Sequence, residues 1–191
     1  MPRTPDAKLE GRIVDAAYRL WSQRGEKALT MRAVAKAAST TTPTLYQRFR
    51  DKNDLKHFLE ERARQKLFSA IRPSRSALDI CRIALEFISD HGNEYRLLTA
   101  DWGARFARKT PMRSFEQLQK VLAQELGGKA EHHKDLAFQL FALVHGTALL
   151  RPSSKEHEKI AISLRDACLR ACSALMQSAT ANGHRAKRKL P

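Results

Sequence analysis

Apolar residues recur along this chain at helical spacing from about residue 9 to residue 178, and no stretch alternates as a strand requires. Ile13, Ala16, Ala17, Leu20 and Trp21 share one face of a helix expected over about 9–24, with Gly25 at its end. Thr30 is suited to cap a second helix, in which Met31, Val34, Ala35 and Ala38 fall at i, i+3, i+4 and i+7. The run Ser39-Thr40-Thr41-Thr42-Pro43 comes next. Hydroxyl side chains favour caps over helix interiors, and proline is tolerated only in a helix's first turn. A third helix beginning near Thr41 meets both demands. Leu45 and Phe49 anchor it inward and leave Thr42, Pro43, Thr44, Tyr46, Gln47 and Arg48 outside. Two short helices joined by a tight turn make a helix-turn-helix, and the second is short enough to lie in a DNA major groove.

Residues 50–53 read as a turn, with Asn53 or Asp54 capping a fourth helix that carries Leu55, Phe58, Leu59, Ala63, Leu67 and Ile71 to the stop at Pro73. A fifth helix opens at Ser74 or Ser76. It is apolar on two faces, Leu78, Cys81 and Leu85 on one and Ile80, Ile83 and Phe87 on the other, the pattern of a helix central to a bundle. His91-Gly92-Asn93 breaks it and another helix starts near Glu94; no element is assigned to residues 103–111. Further helices are expected over 112–126, 131–150 and 155–178. The last two are apolar on more than one face, so one face can pack at home and leave the other for a partner. The fold class is therefore all-α: an N-terminal three-helix DNA-binding bundle with the helix-turn-helix (residues 1–53), a C-terminal helical bundle (54–178), and a disordered basic tail (179–191).

Charge narrows the choice of partner. The chain of 191 residues carries a formal +15. Residues 1–52 hold eleven Lys/Arg against five Asp/Glu, and residues 179–191 hold four Lys/Arg and no acid. Positive charge is densest around the helix-turn-helix and in the tail, the footprint of a protein that meets a polyanion. No apolar run follows the basic residues at the start, and the most apolar stretch, 136–150, is too short to span a bilayer, so no secretory signal or membrane span is expected. Three cysteines, Cys81, Cys168 and Cys172, in no disulfide-like pattern favour a reducing, cytoplasmic setting.

From Arg12-Ile13-Val14-Asp15-Ala16-Ala17, through Leu20-Trp21, Gly25 and Thr30, to Pro43-Thr44-Leu45-Tyr46, Phe49, Lys52 and Leu55, the chain resembles the tetracycline-repressor (TetR) family of bacterial transcription regulators. The resemblance covers roughly the first third of the chain. It implies a homodimer formed by the last two long helices of each subunit, and a double-stranded DNA operator, an inverted repeat. It also implies a small-molecule effector held inside the C-terminal bundle, and release of a repressor from DNA when that effector binds. It points to Arg32, Thr42, Pro43 and Thr44 as base readers, with Thr41 heading their helix, and to Thr30, Tyr46 and Lys52 as backbone clamps; Gln47 and Arg48 fit either role. An arginine fork suits guanine O6 and N7, threonine and proline carbons suit a thymine methyl, and hydroxyl and ammonium groups suit phosphate oxygens. The family usually places a glycine and a buried aliphatic residue where Ser39 and Thr40 stand, and glycine where Pro43 stands. A non-glycine residue in a left-handed turn costs of order 1–2 kcal/mol.

The implied ligand pocket has Phe58, Tyr95, Trp102, Phe106, Phe138, Phe141 and His145 as its candidate walls, against the simpler reading that these rings are plain core. Cys168 and Cys172 lie one helical turn apart, but two ligands are too few for a closed metal site. No metal or cofactor is assigned, nor is any catalytic residue. The sequence has no Gly-rich phosphate loop, no GxSxG elbow and no paired histidines beside a helical glutamate. The competing functional readings are a non-specific, architectural DNA binder driven by charge, an enzyme built on an all-α bundle, and a regulator that works without an effector.

Overall fold

The computed structural model describes residues 7–99, 102–108, 110–151 and 157–187. Within them every regular element is helical. In chain order these are α1 (Ala7–Arg24), α2 (Met31–Ala37), α3 (Thr42–Tyr46), α4 (Lys52–Ile71), α5 (Ala77–Asp90) and α6 (Gly92–Thr99). They are followed by α7 (Trp102–Ala107), α8 (Arg113–Leu126), α9 (Lys134–Leu150) and α10 (Glu158–Lys187). Short 3₁₀ turns, Glu26–Ala28 and Ala130–His133, lead into α2 and α9. No described helix is long and apolar enough to cross a membrane.

The chain forms two compact units. The first comprises residues 1–66 and 91–107, the second 67–90 and 108–191. This partition differs from contiguous domains at 1–53 and 54–178, because α4 contributes to both units and the segment 91–107 returns to the first. That functional division remains a proposal.

In the first unit, Ile13, Ala16, Ala17 and Trp21 of α1 pack with Leu29, Val34, Ala38, Leu45, Phe49, Leu55 and Leu59, and Leu97 of α6 joins the same core. Polar bonds fix α6 to the end of α1. Trp21 Nε1 donates to the Asn93 carbonyl at 2.8 Å, Asn93 Nδ2 donates to the Ser22 carbonyl at 2.8 Å, and Ser22 Oγ donates to Glu94 Oε1 at 2.8 Å. Glu94 is 3% exposed, with Lys66 Nζ at 3.8 Å and His91 Nδ1 at 3.5 Å from its carboxylate. A buried carboxylate persists only where such partners replace water. Burial, and then the nearby Glu94 carboxylate, push the Tyr18 phenol up to about 12.

The second unit packs α5, α8, α9 and α10 around Cys81, Leu85, Phe115, Leu118, Val121, Leu122, Ala137, Leu140, Val144, Cys168, Cys172 and Met176. α5 buries Ala77, Ile80, Cys81, Leu85, Phe87 and Ile88; of its two expected apolar faces, Leu78 and Ile83 are only half-buried.

Several local expectations change. Residues 103–107, to which the sequence assigns nothing, belong to α7. The cap of α4 is Asp51 rather than Asn53 or Asp54: its Oδ1 accepts from Asp54 N at 2.8 Å, while Asp54 Oδ2 accepts from Arg50 N at 3.1 Å. The tail expected to be disordered from residue 179 continues α10 to Lys187. Three alanines in that stretch favour helix, and Thr180 Oγ1 satisfies itself on the Met176 carbonyl at 2.9 Å.

Candidate nucleic-acid interface

The helix-turn-helix is assembled by short-range bonds that the sequence dictates. Thr30, in extended conformation, accepts from Ala33 N at 3.1 Å and starts α2. Val34 and Ala35 are buried, while Arg32 and Lys36, four apart, are exposed on the helix. Ser39 then turns the chain with φ 52°, the one non-glycine residue in the left-handed region among the described residues. The departure from glycine at this position is thus borne as backbone strain. Thr40 N closes the turn on the Ala35 carbonyl at 2.9 Å.

Thr41 caps α3, accepting from Thr44 N at 3.3 Å, and its hydroxyl lies 2.8 Å from that of Thr44. Pro43 occupies the first turn, where its missing N–H costs nothing. Leu45 and Phe49 are fully buried, and the Phe49 ring meets Phe58 edge-on at 5.3 Å. The opposite face is open: Thr41, Pro43, Gln47 and Tyr46, the last 52% exposed, so Tyr46 is not part of the core. Thr42, Thr44 and Arg48 are only half-exposed, less outward than the spacing alone implies.

Of the clamp candidates, Thr30 already commits its oxygen to its own cap. Lys52, in the first turn of α4, donates to the Glu26 carbonyl at 3.4 Å. Lys56 pairs with Glu26 Oε1 at 3.2 Å and lies 5.5 Å over the Trp21 ring. Glu26 therefore gathers two ammonium groups beside the helix-turn-helix. The sequence reading passes over two exposed cations near the same surface, Lys36 and Arg50. Their signal was present in the chain: Lys36 follows Arg32 by four residues and Arg50 follows Gln47 by three.

The rings expected to line a pocket fall into separate units. In the first, Tyr95 is buried and meets Trp102 edge-on at 5.9 Å, while Phe58 packs on Phe49 with 44% of its surface exposed. Burial raises the Tyr95 phenol above its ordinary range. In the second, Phe141 lies between Phe115 at 5.7 Å and His145 at 3.8 Å, both edge-on. Burial lowers the His145 imidazole to about 3, so it is neutral at physiological pH. Phe138 is 52% exposed, and the side chain of Phe106 lies outside the described residues.

The cysteine pair gains a third member that spacing could not supply. Cys172 hydrogen-bonds both Cys168 and Cys81, and all three thiols are free and buried. The Cys172 contact and burial push the Cys168 thiol up. For Cys172 the Cys168 contact works downward, but the Cys81 bond and burial outweigh it and push the thiol up to about 12. No group of three or more His, Cys, Asp or Glu residues fit to hold a metal ion occurs among the described residues.

Residues 13–57 match the family model of the bacterial regulatory proteins of the tetR family. Solved structures share the fold over nearly the whole chain. The multidrug binding protein EbrR complexed with imidazole is 21% identical with a TM-score of 0.63, over 92% of this chain and 93% of EbrR. A TetR-like transcriptional regulator from Rhodococcus sp. RHA1 is 19% identical with a TM-score of 0.60, over 94% and 99%. The TetR regulator SCO7222 of Streptomyces coelicolor is 18% identical with a TM-score of 0.62, over 89% and 96%. No curated protein matches the chain in sequence.

Proposed function

We propose that this chain, a tetR-family regulator by its helix-turn-helix, works in the cytoplasm as a homodimeric repressor that a small molecule releases from an inverted-repeat operator. The observation that carries the reading is the open face of α3, held outward by the buried pair Leu45 and Phe49 and flanked by exposed cations. One such helix contacts a single half-site. Specific recognition then calls for two copies about 34–36 Å apart, one turn of the duplex.

A surface for that dimer exists on α9 and α10. Phe138 (52% exposed), Leu149 (82%), Leu150 (71%), Ile160 (51%) and Ile162 (44%) are large apolar side chains open to water on the two longest helices of the second unit. Large apolar side chains exposed on these two helices suit a packing partner. Effector control is supported by analogy: EbrR is described in complex with imidazole, ethidium and proflavin. The Phe115–Phe141–His145 cluster offers this chain flat apolar walls for such a ligand. DNA and effector would favour different spacings of the two recognition helices, with α4 linking the units. A coupling of about 1–3 kcal/mol suffices.

The test is footprinting on the promoter beside the protein's own gene, with gel shifts at physiological salt. An inverted repeat protected in preference to random duplex supports the repressor. Equal affinity for both supports the architectural, charge-driven alternative. Within the same assay Tyr46→Ala and Lys52→Ala should weaken binding to all sequences alike and lower its salt dependence. If Lys52→Ala left both unchanged, the clamp assignment would fail.

A further inference from the structure

The recognition face singles out one side chain more sharply than a list of exposed residues does. Helical bonding runs past the end of α3: Gln47 N donates to the Pro43 carbonyl at 3.1 Å and Phe49 N to the Leu45 carbonyl at 3.0 Å. At about 100° per residue, the midpoint between the two buried anchors Leu45 and Phe49 lies opposite Gln47. Gln47 is thus the apex of the open face, exposed, and its carboxamide has no hydrogen-bond partner among the described residues. Pro43, one turn earlier on the same line, is exposed as well.

The neighbouring candidates are less available. The Thr44 hydroxyl is engaged with that of Thr41 at 2.8 Å inside the cap. Thr42 lies on the half-buried flank toward Leu45. Arg32 belongs to α2, the helix that in this motif crosses the DNA backbone, which favours phosphates over base edges.

We propose that Gln47 reads an adenine in each operator half-site, its carboxamide pairing with adenine N6–H and N7, while the Pro43 ring packs on an adjacent thymine methyl. This rests on the DNA-reading function proposed above and assigns the base content of the site. A carboxamide offers one donor and one acceptor side by side, and only adenine presents the complementary pair in the major groove. A proline ring has no polar atom to offer a base and matches the one apolar group there, the C5-methyl of thymine.

The experiment is selection of the full-length chain on a random duplex library, followed by competition binding with the selected site. Wild type should select half-sites with a fixed adenine. Gln47→Ala should reduce discrimination at that base pair by about 5- to 150-fold, leaving other positions and the salt slope unchanged. Gln47→Glu should move the preference there toward cytosine, whose N4 amino group donates to a carboxylate. Replacing the adjacent thymine by deoxyuridine should weaken wild type several-fold and leave Pro43→Ala indifferent. All three substitutions are on the surface, and an unchanged circular dichroism melt checks that they fold. An adenine preference that persists in Gln47→Ala, or a selected site without a position that responds to residue 47, overturns the assignment. Selection of no sequence at all by wild type overturns the DNA-reading function itself, and the two failures are told apart by that control.

Discussion

In the first unit a carboxylate, Glu94, is buried among Ser22, Lys66 and His91, whereas the second unit holds His145 as a neutral imidazole against Phe141 and keeps the Cys168 and Cys172 thiols protonated. The first uses directional bonds to draw a distant segment, 91–107, onto residues 13–59. The second relies on apolar packing among long helices, which specifies less, and it leaves Leu149 and Ile160 open to water. The unit that holds the DNA-reading helix is therefore closed by its own chemistry. The other leaves large apolar side chains on α9 and α10 exposed, the surface on which the proposed second copy would pack.

The largest effect should come from that open surface. Leu149→Asp with Ile160→Asp should give a monomer in sedimentation with helicity retained, since both side chains are exposed. Operator affinity should fall by about two orders of magnitude or more as two-point attachment is lost. A double variant that still sediments as a dimer would show that the stripe has another purpose.

On the closed side, Glu94→Ala should destabilise the protein by about 2–4 kcal/mol in urea unfolding, because it strands the Ser22 hydroxyl and leaves Lys66 and His91 without their carboxylate. Arg82→Ala breaks pairs with Asp79 and Glu86 that look comparable in distance, 2.9 and 2.7 Å, but stand exposed. Its loss should leave the urea midpoint essentially unchanged, because exposed pairs are screened by water and salt. Equal losses for the two variants would remove the contrast between buried and surface pairing.

His145 sharpens the other side of the comparison. Its folded pKa, about 3, lies below the roughly 6.5 of an unfolded chain, so the unfolded state takes up a proton first as pH falls. The stability it contributes is complete above pH 6.5 and is lost on descending toward pH 3, at up to about 1.4 kcal/mol per pH unit. His145→Gln should flatten the pH dependence of unfolding between pH 6 and pH 4 relative to wild type. The smallest effect is local: Ser39→Gly should raise stability by about 1 kcal/mol, read as a higher Tm, by relieving the left-handed turn.

How much of this was legible beforehand follows the range of the forces involved. Thr30, Thr41, Pro43, Leu45 and Phe49 act within four residues of themselves, and the caps and buried faces they predict are the ones observed. The cap at Asp51 was missed because Asp51, Asn53 and Asp54 offer equivalent choices, and only the geometry of the turn selects one. Helix α7 was missed because Gly103 and the charges around it hide any period. The aromatic candidates Phe58, Tyr95, Trp102, Phe138, Phe141 and His145 were named as one group, yet they divide between two units, since a ring's hydrophobicity carries no address.

The sequence by itself determined an all-helical chain, a helix-turn-helix with its inward and outward residues, and a charge distribution suited to DNA, because each follows from spacing and local bonding. Only the tertiary structure decided that Leu97 and Glu94 join the unit that holds the helix-turn-helix, and that Cys81 meets Cys172. Those depend on which distant surfaces are brought together, and a linear pattern does not hold that.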